Sequence, residues 1–178
     1  MSAPTQHPAA TARLRFRLWR GDDLKLARAL WGDARVMRYL DTRGALDVAA
    51  VQQRLALEMR HQAERGYQCW PLFQPDGHHV GACGLKPRDD QQGVLELGFH
   101  LRPEHWGHGL GREAAGAVIA YAFAQLRASA LFAGHHPENA ASRLTLERLG
   151  FRYSHSELFQ PTGLAHPGYL LVPSGVRP

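Results

Sequence analysis

Cysteine is scarce: Cys69 and Cys83 are the only two, too few for a disulfide framework and without the CxxC spacing of a zinc or redox site. With so few, a reducing compartment is the default. Long apolar runs are also missing, and nothing approaches the roughly 18 residues needed to cross a bilayer. The opening stretch MSAPTQHPAATAR lacks the basic-then-apolar order of a signal peptide. The expected location is therefore the cytoplasm, with no membrane partner. Residues 1–12 read as a disordered lead-in and 13–178 as a single domain. The net charge is +5, but the arginines are scattered and no basic stripe is interleaved with aromatics, so nucleic acid is disfavoured as a partner. A modest positive excess suits an anionic ligand or plain solvated surface equally well.

Other motifs are missing too. No Gly-x-x-x-x-Gly-Lys-Ser/Thr occurs, which argues against an ATP-binding P-loop, and Arg112-Glu113-Ala114 denies Gly107–Gly111 the third glycine of GxGxxG. No Ser, Cys or Asp stands in a nucleophile motif. His78-His79 and His135-His136 are adjacent pairs, and neighbours on a strand point to opposite faces, so neither makes a bidentate clamp and no metal is expected. What remains is an ordinary soluble composition, 44% apolar and 21% charged, long enough to bury a full core.

The pattern along that chain alternates strands and helices. Arg13–Trp19 alternates basic and apolar residues, as a half-buried strand does. Gly21-Asp22-Asp23 offers a cap for an amphipathic helix through Leu24, Ala27, Leu30 and Trp31. A short further turn follows at Val36–Tyr39. Asp47 caps a longer helix that Gly66 ends. Strands at Tyr67–Gln74 and Val80–Leu85 flank the turn signal Pro75-Asp76-Gly77 and form a hairpin. Gln92–Leu101 is the next strand. Ala130–Gly134 is a short one, Pro137-Glu138-Asn139 opens a helix ending at Gly150, and Phe151–Phe159 and His166–Val172 close the chain. The order β-α-α-β-β-β-α-β-α-β-β describes a mixed sheet with helices on its faces.

The most informative stretch is Glu96–Ala115, ELGFHLRPEHWGHGLGREAA. It runs from strand through a glycine-rich loop into a helix. Glycines at alternate positions let the backbone turn tightly and approach a ligand closely. The first helical amides have no partners inside the helix, and its dipole favours negative charge there, so this is the architecture of a phosphate cradle.

Gly81-Ala82-Cys83-Gly84-Leu85, Glu96-Leu97-Gly98-Phe99, Pro103–Gly109 with Glu113-Ala114, His136–Ser142 and Glu147–Phe151 stand in an order and spacing that resemble the GNAT family of N-acetyltransferases. They are most similar to the branch containing the ribosomal-protein N-terminal acetyltransferases. The likeness spans roughly residues 80 to 152. Trp106 departs from the general family loop but fits that branch. Leu146 stands where many members carry a proton-donating tyrosine, which it cannot replace.

The resemblance implies an α/β (α+β) fold with a mostly antiparallel sheet of about seven strands and about four helices. It implies transfer of an acetyl group from acetyl-CoA, as cosubstrate and without a metal, to a primary amine. The acceptor would be a protein or peptide N-terminus or a small molecule. A homodimer is compatible with it. Pyrophosphate binding falls to Gly107, His108, Gly109, Leu110, Gly111 and Arg112, the last also as a charge partner. The pantetheine arm would pair with backbone at Phe99, His100 and Leu101. Asn139 and Ser142, one helical turn apart, share a face; Asn139 either bonds the cofactor or simply caps its helix. Glu96 is the candidate base, directly or through water, unless it faces solvent on the outer side of the sheet. His100 is a weaker candidate for that task. Ser142 is the nearest hydroxyl to protonate the leaving thiolate, with Tyr153 second. The resemblance implies an acceptor site built largely by residues 24–65 and the closing hairpin 159–170, and Trp31, Met37, Tyr39 and Trp70 either line it or belong to the core. A non-catalytic acyl-CoA-binding sensor is the alternative, since such a module needs no base at Glu96.

Overall fold

The computed structural model describes residues 6–88 and 92–173. Local signals set most element ends. The Asp47 side chain accepts a hydrogen bond from the Ala50 amide at the start of α3 (Val48–Arg65), and Gly66 closes that helix in the left-handed region at φ 78°. Asp33 caps the four-residue α2 (Ala34–Met37) in the same way. The short turn expected there is thus a helix, and the described residues hold five helices. Asp23 precedes α1 (Leu24–Trp31) but makes no cap bond. Its carboxylate is instead forked to Arg17 at 2.6 and 2.8 Å. That turn also shortens the first strand, which pairs only over β1 (Arg15–Phe16).

Seven strands form one sheet in the order β1-β2-β3-β4-β5-β7-β6. After β1 come β2 (Cys69–Phe73), β3 (His79–Pro87), β4 (Val94–Leu101), β5 (Ala130–Gly134), β6 (Arg152–Phe159) and β7 (Leu164–Leu171). Every pairing is antiparallel except β4 with β5. One face packs against α4 (Leu110–Ala124) through Leu85, Leu97, Val118 and Leu131. The other carries α1 and α3, with Trp19, Trp31, Val51 and Leu55 over Cys69 and Ala82. α5 (Ala140–Arg148) follows β5.

Two features of this frame position the site. β4 meets β5 only at Val94↔Ala130, Leu95↔Leu131 and Glu96↔Phe132. On its other edge β5 stays paired with β7 from Leu131↔Leu171 through Gly134↔Gly168, so beyond Phe132 only the pairing with β4 ends. Residues 97–101 of β4 thus lose their neighbour on that side, and the sheet opens there. The second feature is the N-terminal segment. Its residues 6–12, expected to be disordered, are tied to the fold: the Trp70 indole donates to the Gln6 carbonyl, and the Thr11 hydroxyl donates to Glu113. The rest of the expected lead-in, residues 1–5, lies outside the described residues.

Candidate active site

The loop after β4 turns on Gly107 and Gly109, whose φ values of 77° and 74° belong to the left-handed region that β-carbons disfavour. Gly109 is the N-cap of α4, and the Glu113 amide is the first to reach back to it, at 3.1 Å. The amides of Leu110, Gly111 and Arg112 ahead of it therefore lack helical partners. Gly111 has no unusual φ. A methyl there would sit 3.6 Å from the Leu101 and Phe99 side chains, in ordinary contact. Its missing side chain leaves the helix mouth open to a ligand.

Arg13 braces this turn. Its guanidinium donates to the His108 carbonyl at 2.9 Å and to Glu113 Oε2 at 2.6 Å, while its amide donates to Glu113 Oε1 at 3.0 Å. Burial of Glu113 opposes its ionisation, but the bonds from Thr11 and Arg13 outweigh that and hold its carboxyl below the ordinary value. His108 itself is exposed and does not line the cavity described next, so of the loop residues named from sequence it is the one set apart.

A cavity of about 810 Å³ runs from this helix mouth along the opened side of β4. Gly107, Gly109, Leu110, Gly111 and Arg112 line one end, and Phe99, His100 and Leu101 line its course. The Trp106 indole donates to the Leu101 carbonyl at 2.7 Å, which joins the loop to the strand end. His100 is buried, and its Nδ1 accepts from the Trp31 indole at 3.2 Å. Indole only donates, so the neutral ring carries its proton on Nε2. Burial, with Arg54 and Lys86 nearby, keeps the ring well below its ordinary value. His100 is thus a neutral donor and a poor base.

Glu96 lines the same cavity with its side chain 28% exposed, so it does not face bulk solvent on the outer side. Its Oε2 stands 4.0 Å from Arg88, and its carboxylate makes no hydrogen bond among the described residues, which leaves it open to take a proton. Asn139 and Ser142 also line the cavity. Asn139 Oδ1 accepts from the Ser142 amide at 3.1 Å, so its oxygen serves as the cap and its NH₂ remains for other partners. Leu146 is buried in the core beside α4. Tyr153 lies away from the cavity, 60% exposed on the edge strand β6 with its hydroxyl against Ser156. Of the residues considered for the acceptor wall, Trp31, Met37 and Trp70 belong to the core and only Tyr39 reaches the cavity.

Sequence reasoning missed several participants. His136 and His166 wall the end beyond β4 together with Tyr39 and Phe159. Their rings follow one another at 5.0 Å (Tyr39–His136), 5.4 Å (His136–His166) and 4.6 Å (His166–Phe159). Burial first, then the neighbouring His136 and His135, lowers the His166 pKa. Arg88 stacks 3.9 Å over Phe132 and forks to Glu157 at 3.0 and 3.1 Å. Phe159 and His166 fall in the hairpin expected at the acceptor site, but no local pattern singled them out, nor His136 or Arg88. Among the described residues no group of three His, Cys, Asp or Glu side chains could hold a metal ion.

Comparison with known proteins shows the family and the fold. The family model for the acetyltransferase (GNAT) domain matches residues 13–152. The N-acetyltransferase p20 of Bacillus licheniformis, itself uncharacterised, is 28% identical over 80% of this chain and 80% of its own length. Two solved structures share the fold. A RimL ribosomal L7/L12 α-N-protein acetyltransferase bound to coenzyme A superposes with a TM-score of 0.78 at 13% identity, covering 92% of this chain and 96% of its own. The spermidine N-acetyltransferase of Vibrio cholerae, solved with coenzyme A and spermine, gives 0.76 at 17% identity, covering 91% and 96%.

Proposed function

This chain belongs to the GNAT acetyltransferase family, and from that premise we propose that it moves an acetyl group from acetyl-CoA to a primary amine by direct attack within a ternary complex. The observation that carries the reading is the single cavity joining three things: the helix mouth at Gly109–Arg112, the unpaired edge of β4, and Glu96. The α4 amides and Arg112 would take the pyrophosphate. The free edge of β4 at Phe99–Leu101 would take the pantetheine amides as a short added strand. The edge opens immediately after Glu96, so an arm laid along it brings the thioester toward that carboxylate.

Glu96 then takes a proton from the acceptor ammonium, directly or through one water. The freed amine attacks the thioester carbonyl carbon. A C–N bond forms, the C–S bond breaks and the electron pair leaves on sulfur. The nitrogen then sheds its remaining extra proton, and the Ser142 hydroxyl or solvent relays a proton to the thiolate, which leaves the amide and free coenzyme A. With Leu146 buried where a tyrosine could have served, Ser142 and Thr145 are the α5 hydroxyl residues that line the cavity.

Calorimetric titration with acetyl-CoA and with coenzyme A tests the cradle, and release of free thiol in the presence of amines tests catalysis. Tight one-to-one binding of both ligands is expected; no heat at millimolar ligand would sink the proposal. Glu96→Gln should bind acetyl-CoA as the unaltered protein does and lose turnover by roughly 10²–10⁴-fold, the range for general-base catalysis. Unchanged turnover would remove Glu96 from the mechanism, and binding without turnover in the unaltered protein would favour a sensor.

A further inference from the structure

The acceptor end of the cavity carries information about which amine it takes. Its two walls come from the segment after α2 and from the β6–β7 hairpin. These walls are joined: both the Thr42 amide and the Thr42 hydroxyl donate to the Pro161 carbonyl, at 3.1 and 3.2 Å. The tie lies beside Tyr39 and Phe159, the cavity residues on either side of it. An extended polypeptide would have to part these segments to lay its chain between them. The hairpin side is braced further by Thr162, whose hydroxyl meets His166 Nε2 at 2.8 Å.

Charge at this end is uneven. Residues 33–43, which include α2 and the segment after it, hold three arginines, and two of them carry their own carboxylate. Arg35 is forked to Asp33 at 3.0 and 2.6 Å, and Arg43 is forked to Asp41 in the same arrangement. Arg38 lies between them, has Val36 two positions earlier, and has no carboxylate partner among the described residues. Its guanidinium lies 5.1 Å from the Tyr39 ring centre, and it lines the cavity. The acids at this end are offset: Glu157 is forked to Arg88, and Arg88 also faces Glu96 at 4.0 Å. A polycation would therefore find Glu96 as the one cavity carboxylate without a hydrogen-bonded partner among the described residues, and a bare arginine at the wall.

We propose that the acceptor is a small amine carrying an anionic group, of the amino-acid class, whose anion is held by Arg38 while its amine faces Glu96. The inference deepens the acetyltransferase reading and rests on it. A guanidinium over an aromatic face keeps its in-plane donors free for a carboxylate, so Arg38 is oriented for a forked pair. The Tyr39–His136–His166 wall supplies flat apolar faces and hydrogen-bonding edges for the body of such a molecule.

The test is a thiol-release screen with acetyl-CoA against three panels: the standard free amino acids, spermidine, and short peptides with Ala, Ser or Met at the N-terminus. Calorimetric binding of acetyl-CoA is measured alongside, so loss of the family activity is seen separately from loss of the acceptor assignment. The expected result is turnover of one or more free amino acids and little with spermidine or peptides. Arg38→Ala should raise KM for that amino acid by about tenfold or more, as for a lost charge-assisted bond, and leave KM for acetyl-CoA unchanged. Arg38→Lys should restore part of the loss. Three outcomes would overturn the proposal: preference for peptides or spermidine, acetyl-CoA binding with no amino acid turned over, or an Arg38→Ala enzyme with unchanged acceptor KM.

Discussion

Arg13 was read from sequence as one basic residue of an alternating strand, yet it makes bonds to both the glycine loop and the first turn of α4. It is a positioning residue. With Thr11 and Glu113 it fixes the two ends of the turn that presents the amides. Arg13→Ala should raise KM for acetyl-CoA several-fold with kcat nearly preserved, since nothing it touches reacts; Arg13→Lys should recover little because the fork is lost. Steady-state kinetics at saturating amine separates the two parameters. This link was illegible in the sequence because it joins residues about 100 positions apart, with no local pattern to announce it. The cysteines behave oppositely: the sequence already denied them a disulfide framework and CxxC spacing, and both are free and buried. Burial, aided by Glu58, pushes the Cys69 thiol up to about 12, and burial raises Cys83 as well. Neither should react with a disulfide reagent until the protein unfolds. A thiol-release assay would then report coenzyme A alone, and a rapid reaction of the native protein would contradict this burial.

At the scale of elements, the loop and α4 were the most legible part of the chain, because glycine positions and helix periodicity are local signals. Gly109 shows what the locality is worth. At φ 74° an alanine must hold a left-handed backbone, which costs about 1–2 kcal/mol. Gly109→Ala should lower the melting temperature and weaken coenzyme A binding together. Gly116→Ala, inside α4 with open space at its β-carbon, should stabilise by about 0.5–1 kcal/mol and leave binding unchanged. Calorimetry and thermal unfolding of the pair make the check. The hairpin at Pro75-Asp76-Gly77 and the helix between Asp47 and Gly66 were legible for the same local reasons. The opening of the sheet was not, because it depends on β5 parting from β4 after Phe132 while it stays paired with β7 on its other edge. A five-residue apolar strand gives no sign of where its neighbours change. The apolar positions Val48, Val51, Leu55 and Met59, three or four apart, predict one buried stripe on α3, and only Val51 and Leu55 bear it out. Val48 and Met59 stay exposed while Glu58 is buried, its carboxylate accepting the Cys69 amide at 2.8 Å. Periodicity locates a helix, but which residues share its buried arc depends on the sheet beneath.

The molecule as a whole buries several imidazoles in neutral form, and that sets its response to acid. His79 packs against Trp19 and Phe73 with neither ring nitrogen hydrogen-bonded. Burial, then repulsion from Arg102, lowers its pKa to about 4 from an ordinary 6.5. His100 is shifted in the same direction by burial and by Arg54 and Lys86. The unfolded chain protonates both near 6.5 while the folded chain resists, so between those limits the unfolded state binds more protons. Stability from these groups is complete above pH 6.5 and is lost as the pH falls toward about 4. Each group contributes a slope of up to ~1.4 kcal/mol per pH unit in that window. The melting temperature should therefore drop steeply between pH 7 and pH 4.5, before the paired carboxylates of Asp23 and Glu113, held below their ordinary values, begin to titrate in the folded state. His79→Leu removes one of these groups without vacating a hydrogen bond from its ring, so its melting temperature should depend less on pH across the same interval. Scanning both proteins by calorimetry at half-unit steps makes the comparison, and parallel curves would show that His79 is not held neutral by its surroundings.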